Sequence, residues 1–581
     1  MPLYSTRRPL EPREKDAFPG YSDLLAHLLF HRGITDAKSA AQFIQPDYVR
    51  DTHNPSLLKD ADKASARIIE AIEKGQKIAI YSDYDCDGIP GAAMFHDLFR
   101  RIGYKNFVIY IPHRHNEGFG VNKEAIDDLA GQGVTLLITV DCGISDFEAI
   151  KHAQKKGIEV IITDHHEPPE KLPPAIAVID PKQLDCEYPD KNLCGTGVAF
   201  KLIQAVLAEN RFGLKEGHEK WLLDLVGIAT LSDMVSLTGV LRKSPRKGLQ
   251  RLLAKLKISQ QHLTEDDIAF MITPRINAAS RMGVPMDAFN LLVADNDAEA
   301  DKCADHLDHI NNERKGVVAS LVKAVKKLVH ERHGSVMPSV IVLGNPEWRP
   351  SLLGLAANSC AEEFRRPVFL WGRDGEGGIK GSCRSEGTTH VVELMRAMPV
   401  GTLTEFGGHK HSGGFGVLND SIHYLEERLN EAAVRLNGAA VSGDVSGNGP
   451  IGVSAGDETL IDSELSMNDV GFKLHEDLNK LAPFGIGNGK PVFLFRKVVP
   501  SSIRLFGKGN EHVELVFNKA NGAKISAISF FGAPSEWAKA LISNKASNKA
   551  ASPVDLVASV EKSMFRNRPE IRLRIVDVIY S

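Results

Sequence analysis

Between Lys77 and Pro181 short apolar runs alternate with amphipathic stretches: KIAIYSD, a helix-like stretch through Phe95 and Arg100, then FVIYIP, VTLLITVDCG, EVIITDHH and AVIDP. Strands of four to seven apolar residues separated by helical spacing predict βαβ units and a mostly parallel sheet. CGTGVAFKLIQAVLAEN then opens on a glycine-rich turn and continues with helical periodicity, and WLLDLVGIATLSDMV predicts a second helix soon after. Residues 290–333 read as one long or broken charged helix ending at Gly334, a connector between two lobes. A second α/β unit starts at SVIVLG and runs to about Arg435, with PVFLWG as a further strand. NGAAVSGDVSGNGPIGVSAGD is rich in Gly, Ser and Ala and reads as a linker. Beyond it PVFLFRKVV, HVELVFN, KISAISFFG, VDLVASVEK and IRLRIVDVIY are short β-rich runs; five such strands suit a small closed barrel, with the OB-fold as first candidate.

The predicted organisation is therefore an N-terminal segment over 1–50, a parallel-sheet α/β domain over 51–245, a helical connector over 246–335, a second α/β domain over 336–440, a linker over 441–457 and a β-barrel over 458–581. Length supports several cores, because roughly 150 residues fill one. With 43% hydrophobic and 25% charged residues the balance is that of a globular protein, not a disordered or fibrous one. The first residues carry positive charge without a following apolar region, and no apolar stretch nears the ~20 residues that span a bilayer. Seven cysteines without a CxxC pair argue against a disulfide framework and a zinc ribbon. A cytoplasmic location and no membrane are expected. The net charge of −4 is not that of a protein coating a polyanion, so any nucleic-acid path must be local.

The chemistry concentrates at strand ends. Asp83, Asp85 and Asp87 in SDYDCDG follow KIAIY; Asp141 in DCG follows LLITV; Asp164, His165 and His166 follow EVIIT. One Asp or His in such a place is as readily a helix cap or a partner for a loop amide. Three such motifs on separate strands have a common cause in the sheet, because ligands of an open parallel sheet bind beyond the carboxyl ends of its strands. So many carboxylates in one crevice would repel one another, and divalent cations resolve the conflict. Mixed oxygen and imidazole ligation favours Mn²⁺, with Mg²⁺ the alternative. Two ions about 3.5–4 Å apart would clamp a phosphoryl group and activate water for in-line attack.

SDYDCDG, DCG, DHH and the later Asp233 in LSDMV together resemble the signature motifs of the DHH phosphoesterases. The resemblance implies that Asp85 and Asp141 bind one metal, that Asp87, Asp141, His165 and Asp233 bind the other, and that Asp141 bridges them. It also implies that His166 sits by the scissile phosphate. Asp83 either helps to ligate or positions water, and Asp164 orients the loop or the ligand histidines. Many members carry a histidine where this chain has Tyr81. PRINAASRMG, KGSCRS, FGGHKHSGGF and PFGIGNGKPVF are similar to motifs of the RecJ exonuclease branch, so the likeness runs from about residue 50 to the C-terminus.

Within those motifs Arg275, Arg281 and Arg384 offer forked donors matched to phosphate, Asn277, Ser382 and His409 offer further polar contacts, and the Gly407–Gly408 pair lets a strand approach backbone amides. Two departures, Arg349 after Trp348 and Ser280 in place of a glycine, fall in the DNA-handling parts. The basic run over 242–257 reads ordinarily as a solvated helix face; lining the strand's entrance, it would make affinity fall steeply with salt.

The implied activity is removal of nucleotides from the 5′ end of single-stranded DNA, releasing 5′-mononucleotides, in recombination and repair. The implied partner is single-stranded DNA held by charge and stacking, with a helicase and a single-strand-binding protein as candidate suppliers, and a monomer is expected. A phosphodiesterase acting on short oligonucleotides or cyclic dinucleotides would lack the C-terminal barrel. A non-catalytic replication scaffold would lack the metal ligands.

Overall fold

A computed structural model of the chain describes residues 4–580 except 233–242, 335, 376, 388, 442–458, 486, 547–551 and 564–567. Asp233 and the predicted linker thus lie outside the described residues. The chain divides into two compact units, one of His53–Gly452 and one that joins Met1–Thr52 to Val453–Ser581.

The larger unit is built on five parallel strands: β1 (Ile78–Ser82), β2 (Phe107–Tyr110), β3 (Leu136–Val140), β4 (Glu159–Thr163) and β5 (Ala177–Ile179). Their order is β2-β1-β3-β4-β5. Every residue of β1 and β3 is buried, as expected of runs such as IAIYS and LLITV covered by helices on both faces. β2 and β3 lie on opposite sides of β1, so the chain reverses its winding there and opens a crevice at the strands' carboxyl ends. Into this crevice run the loops that follow β1, β3 and β4.

Helices α1 (Gly88–Arg101) and α2 (Gly195–Glu209) pack beside the sheet, and α3 (Lys247–Lys255) and α4 (Thr273–Arg281) follow in sequence. The predicted connector is broken at its start: a helix over Pro285–Val293 ends, and α5 (Asp297–His333) begins where the Asn296 side chain accepts a hydrogen bond from the Glu299 amide. With 37 residues α5 is about 55 Å long. A second sheet follows, of β6 (Ile341–Gly344), β7 (Val368–Arg373), β8 (Ile379–Arg384), β9 (Leu403–His409) and β10 (Ser412–Val417) in the order β9-β10-β8-β7-β6. Helix α6 (Pro350–Phe364) packs on it and on α5, burying Leu352, Leu353 and Ala356 with Leu321, Val325 and Val329.

The basic run lands on α5. Lys247 and Arg251 pair with Asp297, Arg251 also with Asp301, and Lys255 with Asp305, at 2.5–3.5 Å. Arg246 is buried between Asp97 and Asp224 at 2.8 and 2.9 Å. These cations knit α3 to its neighbours rather than leaving a wholly solvated face.

The other unit is a barrel of β11 (Phe493–Val498), β12 (Ser502–Phe506), β13 (His512–Asn518), β14 (Lys524–Ser529), β15 (Val554–Ser563) and β16 (Glu570–Tyr580). Neighbours run β11-β15-β16-β14-β13-β12, and β14 and β16 are parallel. Taking β11 and β12 as two halves of one strand bent around Pro500, this is the five-stranded OB topology, with the helix Glu536–Ala546 between its third and fourth strands. SIRLF is the half-strand that the hydrophobic pattern did not single out: Arg504 pairs across to Glu514, and only alternate positions turn inward. The N-terminal segment completes this unit. Tyr4–Thr6 pairs in parallel with Thr459–Ile461, and Leu25, Leu28 and Leu29 pack in one core with Phe493, Phe495 and Leu556.

Candidate metal centre and phosphate-binding arginines

The turn after β1 is shaped by one glycine. A Cβ on Gly88 would lie 2.4 Å from the Asp83 carbonyl oxygen, so the helix α1 can start this close only without a side chain. Asp85 Oδ1 accepts hydrogen bonds from the amides of Asp87 and Gly88 at 2.8 and 3.2 Å. Asp85 therefore braces the start of α1 as well as being a candidate ligand.

Asp87 points to the start of α2. Its carboxylate accepts from the Gly195 and Thr196 amides at 2.6 and 2.7 Å, where unpaired N–H groups at a helix N-terminus favour negative charge. Asp141 holds a left-handed backbone with φ of 62°, and a Cβ on Gly195 would come within 2.5 Å of its carboxylate. His165 Nε2 lies 3.1 Å from Asp141 Oδ1 and 3.6 Å from Asp87 Oδ2.

Among the described residues two sets of side chains offer ligand atoms within 4.8 Å of one another: Asp83, Asp85 and Asp141, and Asp141, His165 and His166. Asp141 belongs to both. Asp164 stands behind the histidines: Oδ1 accepts from His166 Nδ1 at 2.7 Å and from the His165 amide at 2.7 Å, while Oδ2 accepts from the Ile144 amide at 3.0 Å.

Burial, then the neighbouring carboxylates Asp87, Asp85 and Asp83, pushes Asp141 well above the usual carboxylate range. Burial, then Asp85, does the same to Asp83. Burial also pushes Asp164 up, but its hydrogen bond to His166 and the amides outweigh this and hold it low. His165 is lowered to about 4, by burial first and then by His166, so its imidazole is neutral and able to ligate at ordinary pH. Asp83 Oδ1 and Asp141 Oδ1 are buried and accept no hydrogen bond among the described residues. Crowded carboxylates, orphaned oxygens and a neutral imidazole fit a divalent cation, which supplies the missing positive charge.

The candidate phosphate-binding residues separate into groups. Arg281 donates to the Ser351 carbonyl at 2.8 Å and has no carboxylate at ion-pair distance among the described residues. Burial and then Arg114, Arg314 and Arg384 lower it to about 9, against the pull of Asp85. Arg384, on β8, lies over Gly354 of α6, where a Cβ would meet its guanidinium at 2.9 Å. Burial also lowers it, with Arg114 adding to that against Cys383. Ser382 precedes it by two residues and shares its face of the sheet. Arg281 and Arg384 thus gather with Arg114 near the carboxylate cluster, with no carboxylate at ion-pair distance of Arg281 or Arg384 among the described residues.

Arg275 stands apart: it is buried, pairs with Asp308 at 2.8 Å and donates to the Met271 carbonyl at 2.6 Å. Asn277 Oδ1 accepts from the Cys86 amide at 2.9 Å and so braces the β1 turn. The buried Ser280 returns its hydroxyl to the Asn277 carbonyl at 3.3 Å. Gly408, with φ of 136°, and His409 lie on the exposed edge strand β9. Cys86 and Cys142 are buried, and burial pushes both thiols up.

The sequence reading missed Arg114, whose guanidinium sits 4.7 Å from the Tyr84 ring centroid. It lies in HRHNEGFG, directly after strand β2; an arginine and paired glycines at a fourth strand end were the available signal. Tyr81, in the place of the superfamily's histidine, is buried and donates to the Gly120 carbonyl at 2.9 Å.

Sequence profiles of three families match the chain: the DHH family, N-terminal domain over 77–230, the DHHA1 domain over 337–441 and the RecJ OB domain over 461–577. The chain is 31% identical to the single-stranded-DNA-specific exonuclease RecJ of Escherichia coli over 423 residues, 68% of this chain and 73% of that one. It is 33% identical to RecJ of Bacillus subtilis over 506 residues, 85% of this chain but 61% of that relative. Its fold is similar to crystalline RecJ of Thermus thermophilus in complex with Mn²⁺, with a TM-score of 0.78 and 25% identity, covering 100% of this chain and 80% of that one. The same Thermus protein has been solved with Mg²⁺, at a TM-score of 0.72 and 24% identity, covering 100% of this chain and 79% of that one.

Proposed function

Since the chain belongs to the RecJ family of DHH phosphoesterases, we propose that it is a metal-dependent exonuclease that removes 5′-mononucleotides from single-stranded DNA, in DNA recombination and repair. The observation that carries this reading is the pairing of the Asp141-centred ligand cluster with the cluster of Arg114, Arg281 and Arg384, none of which has a carboxylate at ion-pair distance among the described residues. Asp85 and Asp141, with Asp83 beside them, would hold one cation; Asp87, Asp141, His165 and Asp233 would hold the other. Bound divalent ions neutralise the phosphate's charge and lower the pKa of water for attack on phosphorus.

The chain's own residues do the rest. Asp164 accepts from His166 Nδ1 and so fixes the ring beside the ligand cluster, where it would stabilise the charge that develops at the scissile phosphate. Asp87 is held by the two amides of α2, so the crevice keeps its shape as charge changes inside it. Arg281 and Arg384, joined by Arg114, would grip a terminal phosphate one nucleotide from the cut, which gives both the end preference and the size of the product. Arginine suits this role because its fork stays charged and matches phosphate oxygens.

Among the described residues no helix is long and apolar enough to cross a membrane. The same reading takes the chain as a cytoplasmic monomer that receives strands opened by a helicase and coated by a single-strand-binding protein. The barrel sets it apart from oligonucleotide and cyclic-dinucleotide phosphodiesterases, and the assembled ligand cluster from a catalytically silent scaffold.

A single oligonucleotide labelled at either end tests the reading. With Mn²⁺ present, the 5′ label is expected first and as a mononucleotide, from single strands and not from blunt duplex. First release of the 3′ label, or equal digestion of duplex, would overturn it.

A further inference from the structure

We propose that Phe119 is a stacking platform for the base of a nucleotide that flanks the scissile phosphate; the proposal rests on the strand-hydrolysing reading above. The Phe119 ring lies edge-on to His166, with centroids 5.7 Å apart and planes at 76°, and His166 in turn packs on His165 at 4.7 Å. Phe119 thereby borders the ligand cluster, yet it is 58% exposed while the carboxylates of Asp83, Asp87 and Asp141 are buried. A lone exposed apolar residue ordinarily needs no explanation. Here the chain is organised to keep it outside.

Gly118 and Gly120 flank it with φ of 80° and 82°, conformations that residues with a Cβ rarely adopt. The Gly120 carbonyl accepts from Tyr81 Oη at 2.9 Å, and the Val121 amide donates to Asp146 Oδ2 at 2.7 Å. A Cβ on Gly120 would come within 2.7 Å of that carboxylate. On the other side Glu117 accepts from the His113 amide at 2.5 Å and from Tyr110 Oη at 2.6 Å. Tyr81, standing where many superfamily members have a histidine, thus serves as an anchor of this loop.

An open aromatic face held by anchored backbone suits a nucleobase, because every base has a π-face and stacking on an aromatic side chain ignores sequence. Arg114 belongs to the same loop and to the arginine cluster. One loop therefore supplies a donor for phosphate and a surface for a base. Stacking would also require the base to be unpaired, which adds a reason for rejecting duplex.

Abasic substitution at each of the first three nucleotides of a 5′-phosphorylated strand tests the proposal in wild type, Phe119→Ala and Phe119→Trp. KM for the intact strand is expected to rise about tenfold to a hundredfold in F119A, the worth of one stacked base, and F119W should restore it. An abasic site at position one or two should weaken wild type by a similar factor and leave F119A unchanged. The same pattern is expected in the Kd measured without divalent metal, a readout that needs no turnover. Equal weakening of F119A on intact and abasic strands, or wild-type sensitivity retained in F119A, would overturn it. Failure of the exonuclease reading would show differently, as absence of hydrolysis by the wild-type protein.

Discussion

Asp141→Ala is expected to cut strand hydrolysis by at least about a thousandfold, roughly 4 kcal/mol of transition-state stabilisation, and Asp141→Asn nearly as much. The reason is position. Among the described residues Asp141 alone contributes to both ligand sets, and its backbone takes a left-handed conformation with φ of 62°. Asparagine tolerates that backbone and fills the same space, so a loss in Asp141→Asn isolates the charge. Thermal unfolding separates this from misfolding. Added Mn²⁺ should raise the Tm of wild type, because a ligand that binds only the folded state stabilises it, and should do so far less in the variant. Without metal Asp141→Asn should be no less stable than wild type, because it removes a buried charge crowded by Asp83, Asp85 and Asp87. Digestion by Asp141→Asn at the wild-type rate would contradict the assignment.

Arg384→Ala should lower kcat/KM on a 5′-phosphorylated strand by about tenfold to a hundredfold, the ~1.5–3 kcal/mol of a hydrogen bond to a charged group, and change little on a strand ending in a 5′-hydroxyl. Arg281→Ala should behave alike. Arg275→Ala is the informative contrast. Its guanidinium is committed to Asp308 and the Met271 carbonyl, so its loss leaves a partly buried carboxylate unpaired and should cost about 3 kcal/mol of folding stability. It should leave the preference for a 5′-phosphate intact. A preference unchanged in Arg384→Ala would remove the terminal-phosphate role, as would an equal loss on both substrates.

The sequence disclosed most of the catalytic sheet, because β1 and β3 are buried on both faces and stand out as unbroken apolar runs ending in carboxylates. It disclosed much less about which polar residues have partners. PRINAASRMG presents Arg275 and Arg281 alike, yet one pairs with Asp308 and the other stands among Arg114, Arg314 and Arg384. That difference depends on α5, about thirty residues downstream, and no local pattern encodes it. The amides that hold Asp87 come from Gly195 and Thr196, again distant in sequence. The break before α5 was readable in principle, since Asn296 followed three residues later by Glu299 is a helix-start signature. The pairing of Tyr4–Thr6 with Thr459–Ile461 was not, because three residues of strand carry no hint of a partner so distant in the chain.

The most direct test of the account is anomalous diffraction at the manganese edge from crystals grown with Mn²⁺. Two peaks about 3.5–4 Å apart, both within ligand distance of Asp141 and one of them within reach of His165, are the predicted result. A single peak, or peaks that Asp141 does not join, would contradict it.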